Sequence, residues 1–534
     1  MKEGPFPGQN RLIKYMLIPS AVSIALVIVS VIRAQGIFFP TDEFGYWNNA
    51  AALLGTDWTQ VAGQTGSYAG GYSILLLPFM AFCKNAVVMY RAALIVNCLL
   101  IILSSFLFIR LIRLIYGEFT VWTIPCLLFP SFLVYMSYTI SEVLLYVLFL
   151  ELCCITVRIT REECNMRLIC LGFLISALMV YTHYRSVGIA VIFAVTCFMF
   201  RKGNAVSDKK SLLIPVIVLV LLMISMILYS LTGRIIVAKE LSPRLLADFL
   251  LGAAGKVFYL GVSTFGIGII GSVAAFKKRN EPFHMFFLLS FIYMVMLSTF
   301  FFCDGIRLDQ PVYGRYGEMF IPLFMYIGAK ELSENDKKWD GVIIFMGITA
   351  IALTIYVMLS EKIEYVAHFV NGIDWLFLTG MPKVSQVYIK PFLAASAGLF
   401  IINRLAQSEK AREICAICVS VVFLFSSAFL SQKHVWHFQD LDVTDRQLAE
   451  SALELAGEGR EVIFLNSPYN DYVNLLQFWF GDNSIKMTEG LDPEAFQTPP
   501  DAVVITYMNY ECDSQLLARY VNRTSSAHFE MYSN

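Results

Sequence analysis

The sequence predicts a polytopic α-helical membrane protein with a small C-terminal α/β module on its outer side. Three observations carry this. Of 534 residues, 57% are hydrophobic and only 15% are charged, at a mean hydropathy of +0.64, whereas a soluble domain carries about 25% charged residues. Apolar runs long enough to cross a hydrocarbon core of about 30 Å recur along the chain. Beyond residue 432 that pattern gives way to polar sequence with short apolar strands. Forty Lys and Arg against 41 Asp and Glu leave a net charge of −1, which removes the case for a nucleic acid held on a basic surface. Disorder is excluded by the same apolar content.

About thirteen spans follow from a window of about 20 apolar residues. They cover 12–33, 86–109, 119–138, 140–157, 168–184, 186–200, 211–231, 252–276, 283–303, 317–330, 340–359, 385–403 and 412–431. The first is too long for a cleavable signal and stays as a helix. Basic residues fall in alternate loops: Arg110 and Arg113; Arg158, Arg161 and Arg167; Arg201, Lys202, Lys209 and Lys210; Lys277, Lys278 and Arg279; Lys330, Lys337 and Lys338; Arg404, Lys410 and Arg412. The positive-inside rule puts these loops and the N-terminus in the cytoplasm. The outer side then receives 34–85, the turns near 139 and 185, 232–251, 304–316, 360–384 and everything after 432. Two domains result: a membrane domain 1–431 with its long first outer loop 34–85, and an extracytoplasmic module 432–534. In the module, Glu461–Asn466 and Ala502–Met508 read as strands, Asp471–Phe480 and Ser514–Val521 as helices.

Several motifs point to nothing beyond packing. Gly266, Gly268 and Gly271 fit G-x-G-x-x-G but lie inside a span with no preceding strand, so close helix packing accounts for them better than a dinucleotide. Cys415 and Cys418 lack the second pair that a zinc or redox site needs, and the remaining cysteines sit mostly in apolar runs, where a thiol acts as a small hydrophobe. His434 and His437 have no third ligand nearby and read as a surface or interface pair. Asn522-Arg523-Thr524 is a sequon only in a glycosylating pathway. No phosphate-binding loop occurs, which disfavours an ATP-driven pump.

The informative residues gather on the outer side. Asp42 and Glu43 follow the first span and precede an aromatic, helical stretch that includes Tyr46. Acids at a membrane edge are costly unless solvated, paired or used; the competing reading is a solvated cap at a helix start. Ser141 and Glu142 open the fourth span, His183, Tyr184, Arg185 and Ser186 lie between the fifth and sixth, and Asp304, Arg307, Asp309, Arg315 and Glu318 surround the entrance to the tenth. Acids and arginines at one face of an apolar bundle suit an anionic, lipid-linked substrate, because the guanidinium fork matches phosphate oxygens. Arg307 alone reads as a snorkelling residue, and Glu151 as an acid satisfied by a neighbouring helix.

At this point the sequence resembles a family. Asp42-Glu43, followed by Tyr46 and Gly70-Gly71-Tyr72, is similar to the acidic motif of the GT-C glycosyltransferases, especially the protein O-mannosyltransferase and lipid A aminoarabinose transferase branches. Tyr313-Gly314-Arg315-Tyr316 with Pro322 resembles a late arginine-tyrosine motif of bacterial relatives. Many spans, a long first outer loop and a C-terminal soluble domain also fit that family, while Phe44-Gly45-Tyr46-Trp47 departs from the eukaryotic mannosyltransferase pattern and the sequence of the C-terminal module gives no match. The resemblance implies a GT-C-like fold and transfer of a sugar from a polyprenyl-phosphate donor to a glycan, lipid or protein acceptor, at the outer face of a bacterial cytoplasmic membrane. It implies Asp42 as base, with Glu43 orienting the acceptor or supporting Asp42. Arg315 and Arg185 are then the candidates for the donor phosphate, and Tyr46, Tyr72, Glu142, Tyr313 and Asp309 the substrate-binding residues. Single displacement would invert the anomeric centre. No cofactor is required, and nothing in the sequence supports a divalent metal. Two rivals stand beside this: a secondary transporter, which should place its charges mid-membrane in two matching halves, and a lipid-linked glycan polymerase or ligase, which predicts a very large late outer loop.

Overall fold

The computed structural model describes residues 9–38, 40–62, 68–161, 166–200, 243–302, 307–334, 339–359, 371–374, 376, 384–405, 408–465, 472–483, 485–488, 499, 501–508 and 513–534. The span expected at 211–231, the basic loop with Arg201, Lys202, Lys209 and Lys210, the pair Lys337 and Lys338, and Asp304 lie outside these residues. Among the described residues six helices are long and apolar enough to cross a membrane: Met16–Arg33, Ala86–Tyr116, Glu142–Thr160, Pro282–Phe302, Asp340–Leu359 and the apolar part of Glu409–Gly457. The chain is an integral membrane protein.

Several expected spans take other forms, for local reasons. The run 119–138 is two short helices, Thr123–Leu127 and Pro130–Tyr135. Pro130 has no N–H to continue the first helix, and it pushes Phe129 into an extended conformation (ψ 126°) before starting the second. The run 252–276 is a broken pair, Leu246–Val262 and Ile267–Lys277, bent by 111°. The break falls at Phe265 and Gly266, with φ of 53° and 78°. Left-handed backbone is easy for Gly266 and costly for Phe265; Phe265 is held by stacking on Phe423 at 6.2 Å. The run 317–330 is a helix of 14 residues, Ile321–Glu334, entered through a 3-10 turn, Glu318–Phe320. The expected packing role of Gly271 is visible there. A Cβ on it would sit 1.8 Å from the Phe324 carbonyl oxygen, so the helices Ile267–Lys277 and Ile321–Glu334 meet backbone to backbone.

The first outer loop is itself helical: Pro40–Leu53, Thr59–Ala62 and Gly70–Phe82. At the other end of the chain, the last span does not stop near 431. It runs through a π turn, Gln432–Trp436, into the helix His437–Gly457, so the expected domain boundary falls inside a continuous rod. A sheet follows, with strands β1 (Val462–Leu465), β2 (Lys486–Thr488), β3 (Val503–Tyr507), β4 (Asn522–Ser525) and β5 (Phe529–Ser533) in the order β2-β1-β3-β5-β4. β1 runs parallel to β2 and β3, while β5 is antiparallel to β3 and β4.

The module packs on the first loop. Its helix Val473–Phe480 is buried at every residue, and each large apolar side chain so covered contributes about 1.5–3 kcal/mol. Phe478 meets the Trp47 ring at 5.3 Å. Trp479 Nε1 donates to the Gln35 carbonyl at 2.8 Å, and Trp58 Nε1 donates to the Gly481 carbonyl at 2.6 Å. The first-loop helix that carries the acidic pair is therefore clamped between the bundle and the module.

Candidate active site

Four charged side chains, far apart in sequence, converge on one point. Asp42 stands in the first turn of Pro40–Leu53, Glu142 opens the long span Glu142–Arg161, Arg185 sits in the 3-10 turn Tyr184–Ser186, and Arg315 lies between two 3-10 turns. The Arg315 guanidinium donates from Nη1 to Asp42 Oδ2 and from Nε to Glu142 Oε1. Arg185 Nη2 donates to the same Glu142 oxygen at 3.1 Å, and its guanidinium lies over the Tyr316 ring at 4.8 Å. Burial alone would lower the Arg315 pKa, but Glu142 and Asp42 more than offset it and hold the guanidinium well above its ordinary value.

Two acids against two arginines leave the group neutral, which is what allows it to be buried. The side chains of Glu142, Arg185 and Arg315 are 3%, 5% and 8% exposed, whereas Asp42 is 17% exposed and is the most accessible of the four. Arg185 Nε and Glu142 Oε2 are buried without a hydrogen-bond partner among the described residues, so the group keeps one donor and one acceptor in reserve.

Tyrosines frame the cluster. Tyr68 donates to Asp42 Oδ1 at 2.7 Å; burial first, and then the Asp42 carboxylate, raises its pKa, so the phenol stays a donor. Gly45 makes this contact possible, since a Cβ there would lie 1.9 Å from the Tyr68 ring. Tyr46 donates to Ser141 at 2.7 Å and Tyr72 to Asn97 at 2.9 Å, both phenols being buried. Tyr313 lies within hydrogen-bonding reach of Arg315.

Glu43 faces elsewhere. Its carboxylate accepts from Phe38 N at 2.6 Å, Tyr90 Oη at 2.9 Å, Thr139 N at 2.6 Å and the Thr139 hydroxyl, and the residue is 0% exposed. It ties the end of the first span to the helix Ala86–Tyr116 and to the turn at Thr139. Asp309 also stands apart. It is fully buried and paired with Arg307 at 3.0 Å, which corrects the reading of Arg307 as a snorkelling residue. Lys256 joins them, donating to the Gln310 carbonyl and lying 5.7 Å from the Tyr313 ring. An apolar pocket lined by Lys256, Tyr259, Phe291, Met294, Tyr313 and Gly314 opens beside it.

His434 is not a surface residue. It is buried and bonded to Asp374, which Lys433 also reaches at 3.0 Å. Glu151 meets Arg110 at 3.1 Å, as the expectation of a neighbouring helix required. Tyr68 and Lys256 were not singled out from the sequence, and Tyr316 entered only as the last residue of the arginine-tyrosine motif. Lys256 could have been found, as the lone cation in the apolar run 252–276; tyrosines are too common in this chain for Tyr68 to stand out.

No protein-family profile matches the chain, and no curated protein matches it. Solved structures do match, among them ArnT from Cupriavidus metallidurans in the apo state, at a TM-score of 0.50, and the same protein bound to undecaprenyl phosphate, at 0.52. Each is 12% identical and covers 98% of both chains. The likeness is one of fold, and it extends from end to end: this chain has the GT-C fold.

Proposed function

We propose that this GT-C chain is a membrane glycosyltransferase that moves a sugar from a polyprenyl-phosphate donor to an acceptor at the outer face of a bacterial cytoplasmic membrane, with its N-terminus inside and its C-terminal module outside. The observation that carries the reading is Arg315 joined at once to Asp42 and Glu142, with Arg185 on the same glutamate. An outward carboxylate beside two buried guanidiniums supplies both halves of the chemistry. The undecaprenyl phosphate bound by ArnT is a ligand of the class this site suits.

In the reaction, the acceptor hydroxyl or amine attacks the anomeric carbon as the bond to the phosphate oxygen breaks. Asp42 takes the acceptor's proton, and Arg315 with Arg185 bears the charge that grows on the departing polyprenyl phosphate. One displacement inverts the anomeric centre. In the free protein Arg315 is spent on Asp42. A donor phosphate competes for that guanidinium and releases Asp42 as it binds, so the base becomes free only when a leaving group is in place. Glu142 then acts as the fixed anchor that keeps both arginines charged and aimed. Tyr46, Tyr72 and Tyr313 line the sugar and phosphate region, Tyr68 steadies Asp42, and Glu43 positions Asp42 by fixing the loop behind it.

The test is binding of undecaprenyl phosphate to the purified protein in detergent. Wild type binds it, and Arg315→Lys and Arg185→Lys each weaken binding. Equal affinity in all three, or none in wild type, removes the phosphate site.

A further inference from the structure

Sugar transfer gives no role to a cluster of titratable groups in the C-terminal module. Asp442 and Asp445 lie one turn apart on the helix His437–Gly457, and His528 sits in the turn between β4 and β5. One ligand atom from each lies within 4.8 Å of the others. His528 is held in place from three sides. Its backbone N donates to Asp445 Oδ1 at 2.9 Å, its Nδ1 meets Asp445 Oδ2 at 2.6 Å, and its ring stacks on Tyr472 at 4.2 Å.

Asp442 is the telling residue. It is 3% exposed and aimed into the cluster, yet it makes no hydrogen bond or ion pair with any described residue. Neighbouring cations are engaged elsewhere: Arg33 with Asp440 at 3.1 Å and Arg446 with Glu450 at 2.7 Å. Glu43 adds a further negative charge close enough to act on Asp442. One imidazole cannot balance these carboxylates, and a buried carboxyl without a partner is costly to hold charged unless a cation joins it.

We infer that Asp442, Asp445 and His528 form a binding site for a divalent cation of the zinc type. An imidazole nitrogen with two carboxylate oxygens suits a borderline ion, whereas calcium and magnesium prefer oxygen alone. Ligand atoms around tetrahedral zinc stand about 3.3 Å apart, so side-chain shifts of about an ångström bring these three into place. Water or a backbone oxygen completes the shell. The ion staples the last hairpin of the chain to the helix that continues from the last span. Its role is to hold the module against the first loop, apart from the transfer chemistry.

The experiment uses the full-length protein in detergent, stripped with chelator and reloaded with zinc, followed by elemental analysis and thermal unfolding. Wild type should retain about one zinc ion per chain and unfold about 2–5 °C higher when loaded. Asp442→Asn and His528→Gln should each retain at least about tenfold less zinc and lose the shift. If one variant does not fold, the other decides. Wild type that retains no zinc and shows no shift overturns the site, as does a zinc response that persists in both variants.

Discussion

Replacing Arg315 by lysine is the sharpest probe of the charged cluster, because it keeps the charge and removes the fork. Arg315 reaches two carboxylates from two different nitrogens, on helices whose contacts lie 273 and 173 residues away in sequence. An ammonium on a flexible stem can hold one of them in that geometry, and one of the two contacts is lost. A hydrogen bond to a charged group is worth about 1.5–3 kcal/mol, and about 1.4 kcal/mol is a factor of ten, so the loss corresponds to about 10- to 150-fold. With the donor bound the phosphate takes the place of Asp42, so lysine keeps either Glu142 or the phosphate; since the phosphate contact tightens as charge grows on the leaving group, most of the loss should fall on turnover and a smaller part on donor affinity. Donor binding and single-turnover transfer, measured side by side for wild type and Arg315→Lys, give the two parts. Values within about twofold of wild type in both would assign Arg315 to packing and refute the phosphate role.

Glu43→Gln should act on the fold before it acts on the chemistry. An amide nitrogen turned toward the backbone N–H of Phe38 or of Thr139 meets another donor and leaves a buried N–H without an acceptor, at about 1–3 kcal/mol, so the unfolding temperature drops while turnover per folded molecule falls less than for Asp42→Asn. Gly45→Ala forces the Tyr68 ring off Asp42 and should cost about as much turnover as Tyr68→Phe, roughly tenfold; the double variant should be no worse than either single one, and additive losses would separate the two residues. For topology, a thiol introduced at Glu458 should react with an impermeant reagent in intact cells while one at Lys278 should not; the reverse pattern would turn the site to the cytoplasm.

Composition and loop charge were enough to make the membrane class legible and to put Asp42, Glu142, Arg185 and Arg315 on one common side of it, because hydropathy and the basic-loop bias act locally along the chain. Their convergence was not legible. It depends on contacts between residues 43, 173 and 273 apart in sequence, which leave no trace in a local apolar average. Glu43 looked like a twin of Asp42 because adjacent residues on a helix point about 100° apart, and only the packed structure shows that one carboxylate meets Arg315 while the other meets Thr139. Strand β4, with every residue exposed, and β2, three residues long, carry no apolar signal, so two of the five strands could not be read from hydrophobic pattern.

The central claim, that Asp42 drives sugar transfer from a polyprenyl-phosphate donor, is tested most directly by consumption of a radiolabelled polyprenyl-phosphate sugar in membranes carrying wild type or Asp42→Asn. Wild type should release free polyprenyl phosphate as the label moves to an acceptor, and the variant, folded and still able to bind polyprenyl phosphate, should be slower by about 10²–10⁴. Near-wild-type consumption by Asp42→Asn would contradict the account, and so would a wild-type protein that never cleaves the donor.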